Sequence, residues 1–327
     1  LDSKDNAYLV GSFWGKTEFG ATTLTSAGGD DIFVAKMDSA GQWLWAVRAG
    51  SAALDVGNSI ALDSEGNTYV TGSFGGRAEF GATTLTSAGG ADIFVAKVNS
   101  AGKWLWAVRA GGTSTDYGFS IALDSGGNAY LTGLFEGTAA FGATTLTSAG
   151  RADIFVAKMD NAGKWLWAVR AGGTDTNVGG DIVLDSGGNA YLTGRFEGTA
   201  AFGATTLTSA GGWEIYMAKM DNAGKWLWAV RAGSTMYDIG YDIALDSGGN
   251  AYLTGFFGGT AEFGATTLTS VGSNDIFVAK VNSAGQWLWA VRAGGKHSDV
   301  GFSIALDSGG NAYLTGYFGG TAEFGAT

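Results

Sequence analysis

The chain has 327 residues, 57 of them Gly, and neither Pro nor Cys occurs; a Gly share of about 17% with no Gly-X-Y period excludes collagen, and the lack of Cys excludes disulfides, thiolate catalysis and Cys-ligated metal centres. With 19 basic against 30 acidic residues the net charge is −11, which speaks against nucleic acid and anionic membrane surfaces as partners. A composition of 46% hydrophobic and 15% charged residues supplies a core, and no apolar run approaches the ~20 residues of a membrane span.

The opening residues, Leu1-Asp2-Ser3-Lys4, carry neither an initiator Met nor a signal peptide, so the chain is expected to be a mature or excised part of a longer protein. From there one repeat governs everything. Leu-Asp-Ser recurs at Leu1, Leu62, Leu123, Leu184, Leu245 and Leu306, a period of 61 without insertion or deletion. The copies run 1–61, 62–122, 123–183, 184–244 and 245–305, with a partial copy at 306–327, read as one repeat domain over 1–327.

Within one period, Phe119–Asp124 alternates apolar and small or polar residues and reads as a first strand. After a Ser-Gly-Gly-Asn turn, Ala129–Phe135 reads as the second. The stretch from Thr138 to Gly150 is expected to hold an extra hairpin, followed by a third strand at Asp153–Asp160, a turn at Asn161-Ala162-Gly163, and a fourth strand at Lys164–Ala171. No segment has a 3.6-residue apolar period with helix caps. Apolar or small residues on both strand faces suit sheets covered on both sides. The fold class is therefore all-β, a β-propeller whose near-identical blades have about four antiparallel strands, the first innermost and the Trp-bearing fourth outermost. The second-strand motif occurs six times and the others five. A closed ring of five blades is favoured, with an open arc, an inter-chain ring or a β-solenoid as alternatives.

Gly111 to Gly133, followed by Asp153-Ile154-Phe155-Val156-Ala157-Lys158 and a Gly-x-x-x-Trp step, resembles the bacterial SBBP β-propeller repeats, in every copy and over essentially the whole chain. The resemblance implies an extracellular or cell-surface setting and no particular chemistry. The Phe-Gly-Ala-Thr-Thr-Leu-Thr stretch departs from it, since those repeats usually carry Pro there.

The turn Asp160–Trp165 is similar to the Asp-box of sialidase-like propellers but has one residue too many, and Asp124–Asn128 lacks the alternating oxygens and closing Glu of a Ca²⁺ loop; both read as plain turns. The Trp pairs read as core filling between blades, and Lys158 and Arg170 as structural partners of recurring acids. No cofactor or metal is expected, and because near-identical units give no distinct catalytic roles, the chain is expected not to be an enzyme. The copies differ at the links from fourth to first strands, at the ends of second strands and just before third strands, which should gather on one face. That face is expected to bind, through Trp14, Tyr117, Arg195, Trp213, Met236, Tyr237 and His297, residue types favoured in contact hot spots. The expected partner is a glycan or surface protein held multivalently. The alternative is a structural unit of a surface fibre that self-associates through unpaired edge strands.

Overall fold

Period-two alternation places side chains on both faces of every strand, and β-branched and aromatic residues fill both. In the computed structural model, which describes residues 1–325, all regular elements among the described residues are strands; the Ala326-Thr327 end of the last Phe-Gly-Ala-Thr copy lies outside them. The chain divides into two compact units, Leu1–Ser148 with Phe155–Val169, and Ala149–Ile154 with Arg170–Thr327.

In the first unit, Asp55–Leu62, Thr68–Phe74, Asp92–Val98 and Trp104–Gly112 form an antiparallel sheet in chain order. Its register runs Asp55↔Phe74, Phe74↔Asp92 and Ile93↔Ala110. The second strand is buried along its whole length, as a strand sandwiched between two layers must be. A bulge between Gly57 and Ser59 turns Asn58 aside, and its Nδ2 donates to the Gly118 carbonyl of the next copy at 2.8 Å. The first strand of each copy thus begins earlier than its alternation suggests: Asp116–Leu123 rather than Phe119–Asp124. The irregular bulge breaks the two-residue period there. The same unit holds a three-stranded sheet of Ala7–Phe13, Asp31–Met37 and Trp43–Ala49.

The second unit repeats the pattern with Val178–Leu184, Ala190–Phe196, Glu214–Met220 and Trp226–Ala232. Its sheet from Ile239 to Ala293 keeps the same order, and it also holds the hairpin Val300–Leu306/Ala312–Tyr317. The expected extra hairpin is present in each full copy, for example Arg77–Phe80/Thr83–Thr86. It reaches back to the preceding copy's outer strand, by Gly50↔Glu79 in the first unit and Gly233↔Glu262 in the second.

Each hairpin delivers one Phe into the core. Phe80 is fully buried and meets Phe74, Phe94 and Trp104, with ring centroids 6.4, 5.0 and 5.4 Å away. The paired Trp residues of the outer strands are half-buried rather than buried, Trp289 being 36% exposed, and the Leu residues of those strands, such as Leu105, face solvent. What the rings secure is contact between copies. Trp104 Nε1 donates to the Arg48 carbonyl at 3.1 Å and Trp45 Nε1 to the Ser100 carbonyl at 3.0 Å.

The last copy differs sharply: Phe324, at the position of Phe80, is 61% exposed. Phe80→Ala is therefore expected to cost about 3–5 kcal/mol in chemical denaturation, the usual range for an emptied aromatic site, and Phe324→Ala less than about 1 kcal/mol. Equal losses would contradict this assignment of the core.

Candidate interaction site

At the end of each sheet where the second-to-third and fourth-to-first links meet, a buried acid fixes the backbone. Asp92 opens a third strand and is fully buried. Its Oδ2 accepts from Arg109 Nη1 at 2.5 Å, across the third and fourth strands, and from the Ala88 amide at 2.9 Å. Asp31 pairs with Arg48, Asp153 with Arg170, Glu214 with Arg231 and Asp275 with Arg292 in the same way. A second buried acid opens the first strand: Asp116 accepts from the Gly112 amide at 2.8 Å and the Glu136 amide at 3.2 Å. Both links are thereby pinned, and they bond each other: the Asp116 amide donates to the Ala91 carbonyl at 2.7 Å, and the Asp238 amide to the Trp213 carbonyl at 2.8 Å.

The two acids face each other across a glycine. Gly111 has φ +133°, a conformation that L side chains rarely adopt, and a Cβ there would lie 2.7 Å from Asp116 Oδ2 and 2.8 Å from Asp92 Oδ1. Asp31, Asp92 and Asp275 each keep Oδ1 buried without a hydrogen-bond partner among the described residues. One copy shows what that oxygen needs. Asn177 replaces the second acid there, and its Nδ2 donates to Asp153 Oδ1 at 3.3 Å. A protonated carboxyl supplies the equivalent donor. Burial, with the negative charges of Asp92 and Glu136 nearby, pushes the Asp116 carboxyl up to about 7, and burial pushes Asp55 up to about 6.

At the opposite end the turns barely change between copies. Asp124 Oδ1 accepts from the Gly126 and Asn128 amides, an Asx turn, and Asp160 Oδ1 accepts from the Ala162 and Lys164 amides. Lys158 lies 3.2 Å from Asp124 and 2.6 Å from the Tyr130 hydroxyl, which accounts for its recurrence. Arg170 has its acid in Asp153, as above.

The departures from the repeat collect in the second unit, above the Glu214–Arg231 pair. Arg195 stands where other copies have Ser12, Ser73, Leu134, Phe256 and Tyr317, and Trp213 where they have Asp30, Ala91, Ala152 and Asn274. The structure brings these two together: the Arg195 guanidinium carbon lies 4.0 Å from the Trp213 ring centroid. Tyr237 packs on Trp213 at 5.0 Å between centroids and is 57% exposed. Met236, also exposed, packs its Cβ beside Gly258. Ser234 Oγ accepts from the Met236 amide and donates to Asp238, so the buried acid presents both residues.

Tyr241 completes the cluster and was not among the residues expected from the sequence. It packs on Phe256 and Phe302 at 6.0 and 5.8 Å, and with Trp213 it covers the small core of Ile239, Phe256 and Val300. Its signal was present: the positions equivalent to Tyr241 read Asn58, Phe119, Gly180 and Phe302, the most variable position of the first strand.

The other expected residues lie apart from this cluster. Trp14, in the first unit, is 74% exposed. Tyr117, in the same unit, is half-buried and stacks on Phe119 at 5.9 Å. His297 occupies the position of Met236 in the next copy, exposed, with its side chain over Gly319 and Gly320.

Comparison with known proteins agrees with this architecture. Residues 45–73 and 105–134 match the SBBP beta-propeller repeat. A WD repeat-containing protein of Acanthamoeba polyphaga mimivirus is 24% identical over 380 residues, covering 91% of this chain and 27% of the relative. The chain thus spans about a quarter of that relative's length. Among solved structures it is similar to the Pan2 WD40 domain of Neurospora crassa, at 10% identity and TM-score 0.45, covering 96% of this chain and 83% of that one. It is also similar to a gluconolactonase of Xanthomonas campestris, at 13% identity and TM-score 0.44, covering 93% and 82%.

The last likeness corrects the expectation that the chain is not an enzyme, because the similar structures include an enzyme. That expectation rested on equivalent repeats. They are not equivalent: Arg195, Trp213, Glu214 and Tyr216 set one copy apart.

Because the folded chain holds the Asp116 proton more tightly than the unfolded chain does, this group's stabilising contribution is complete below the ordinary carboxylate range. It is lost as pH rises through about 7. Asp116→Asn, the change found naturally at Asn177, should flatten the dependence of unfolding free energy on pH between about 5 and 7, by up to about 1.4 kcal/mol per pH unit. Urea titrations across that range give the slope; an unchanged slope would show that Asp116 is already ionised.

Proposed function

We propose that this chain is a protein-binding module that offers the variable ends of its sheets to a partner, with Arg195, Trp213, Met236, Tyr237 and Tyr241 as the principal contact. One observation carries the reading: in a chain copied almost residue for residue, departures within one copy come together as a partly exposed cluster of a cation and aromatic rings. Arg, Trp and Tyr dominate binding energy at protein interfaces, and Met is enriched there. The WD-repeat relative supports an interaction role, and the SBBP repeats support a setting outside the cell or at its surface. A protein partner is favoured over a glycan because the Arg195 guanidinium covers a face of Trp213 that a sugar ring would stack on. Repetition around the scaffold would add weaker contacts, at Tyr117 and His297 among others, and raise avidity.

A specific observation also supports self-association. Tyr313, Leu314 and Phe318 in the last copy are exposed, whereas their counterparts Tyr191, Leu192 and Phe196 are fully buried. Exposed apolar residues on an edge hairpin invite pairing. Sedimentation velocity over a range of concentrations tests this second reading; a single species throughout would refute it.

The triple variant Arg195→Leu, Trp213→Ala, Tyr237→Thr installs residues that the preceding copy already carries as Leu134, Ala152 and Thr176. It is expected to keep the melting temperature within a few degrees. Retention of surface-protein partners in quantitative affinity enrichment should fall at least about tenfold. Retention equal to the unmodified chain contradicts the proposal, as does a glycan-array signal that the same variant abolishes.

A further inference from the structure

Resting on the interaction reading above, the question is what Arg195 recognises. The arginines of the fourth strands, Arg48, Arg109, Arg170, Arg231 and Arg292, each meet a fully buried acid. Arg195 has no such partner. No carboxylate among the described residues forms an ion pair with it, and its Nε is buried with no hydrogen-bond partner. Directly across the sheet it meets Val178 on one side and Ile215 on the other. Burial holds its guanidinium below the usual arginine value.

A chain with 30 acids and net charge −11 has carboxylates to spare, yet this half-buried cation has been left without one. Trp213 fixes the plane of the guanidinium from one face. A planar fork held in place, partly desolvated and short of an acceptor is matched by a planar, two-oxygen anion. Met236 and Tyr237 beside it offer apolar contact but no further cation, and the negative field of the whole chain opposes a polyanion. A single carboxylate set among apolar groups fits; a sulfated or phosphorylated polymer does not.

We infer that Arg195 receives an Asp or Glu side chain of the partner protein, with Trp213 as the platform that orients the guanidinium and Met236 and Tyr237 as the apolar flank. Arg195 is thus the specificity-determining contact of the face.

The test uses the full chain labelled with ¹⁵N-arginine, observing the Arg195 Nε–H resonance while two peptides are added, acetyl-Leu-Glu-Leu-amide and acetyl-Leu-Gln-Leu-amide, with inorganic phosphate as a third probe. The Glu peptide is expected to shift the resonance saturably and at least about tenfold more tightly than the Gln peptide. Arg195→Lys, which keeps the charge and loses the fork, should forfeit most of that preference, and Arg195→Leu all of it, as judged by Trp fluorescence. Equal response to Glu and Gln, a tighter response to phosphate, or no response up to concentrations on the order of 10 mM would each overturn the inference. The peptides read one guanidinium and the affinity enrichment reads the whole face. Lost discrimination with enrichment intact removes only the carboxylate, whereas lost enrichment with discrimination intact removes the wider proposal.

Discussion

The structure depends on an acid buried at the head of each third strand. Without a partner such a charge would be prohibitively costly in the interior; with the fourth-strand arginine, a loop amide and a close glycine it becomes a knot that ties three elements together. Asp92 joins Arg109, the Ala88 amide and the Gly111 backbone in this way. The knot recurs at each period, which explains why Asp, Arg and Gly return at fixed spacing while the residues a few positions away drift. A Cβ at Gly111 would enter the space between the two carboxylates, so glycine there follows from the acids as well as from its positive φ.

Fixing the links so firmly separates stability from recognition. Side chains that project beyond the knot, such as Met236 and Tyr237, are carried on a link held through the Ser234, Met236 and Asp238 amides, so they can change between copies at little cost to the fold. One copy has used that freedom further than the rest. In it the acid itself lengthens to Glu214, the neighbouring ring becomes Tyr216, and the hydroxyl of Tyr216 is buried with no partner among the described residues. Burial pushes that hydroxyl's pKa up. A polar group placed where every other copy has Phe is a local expense that repetition alone does not explain.

Much of this was legible in the sequence, for physical reasons. Strand order, the extra hairpin and the two kinds of turn follow from alternation, Gly placement and an invariant period, and the second strand was located to the residue at Ala129–Phe135. The meeting of the second-to-third and fourth-to-first links at one end of a sheet followed from antiparallel connectivity. Three things were hidden. The start of the first strand was masked by a bulge at Gly118. The half-burial of the Trp rings depends on which layer is outermost in space. The facing of Asp92 and Asp116, 24 positions apart in the chain, required the fold, since nothing in either local segment announces the other. Tyr241 was hidden too, because its position falls beside the bulge at Gly240, where the two-residue period no longer tells which side chains face outward.

The account turns on whether the buried acids hold the links rigidly. Native-state hydrogen exchange at the amides of Ala88, Gly112 and Ser234, which donate to those acids from outside or at the ends of strands, measures this directly. They should exchange only with global unfolding, as slowly as the core amide of Val95. Exchange as fast as at the exposed turn amide of Ala101 would contradict it.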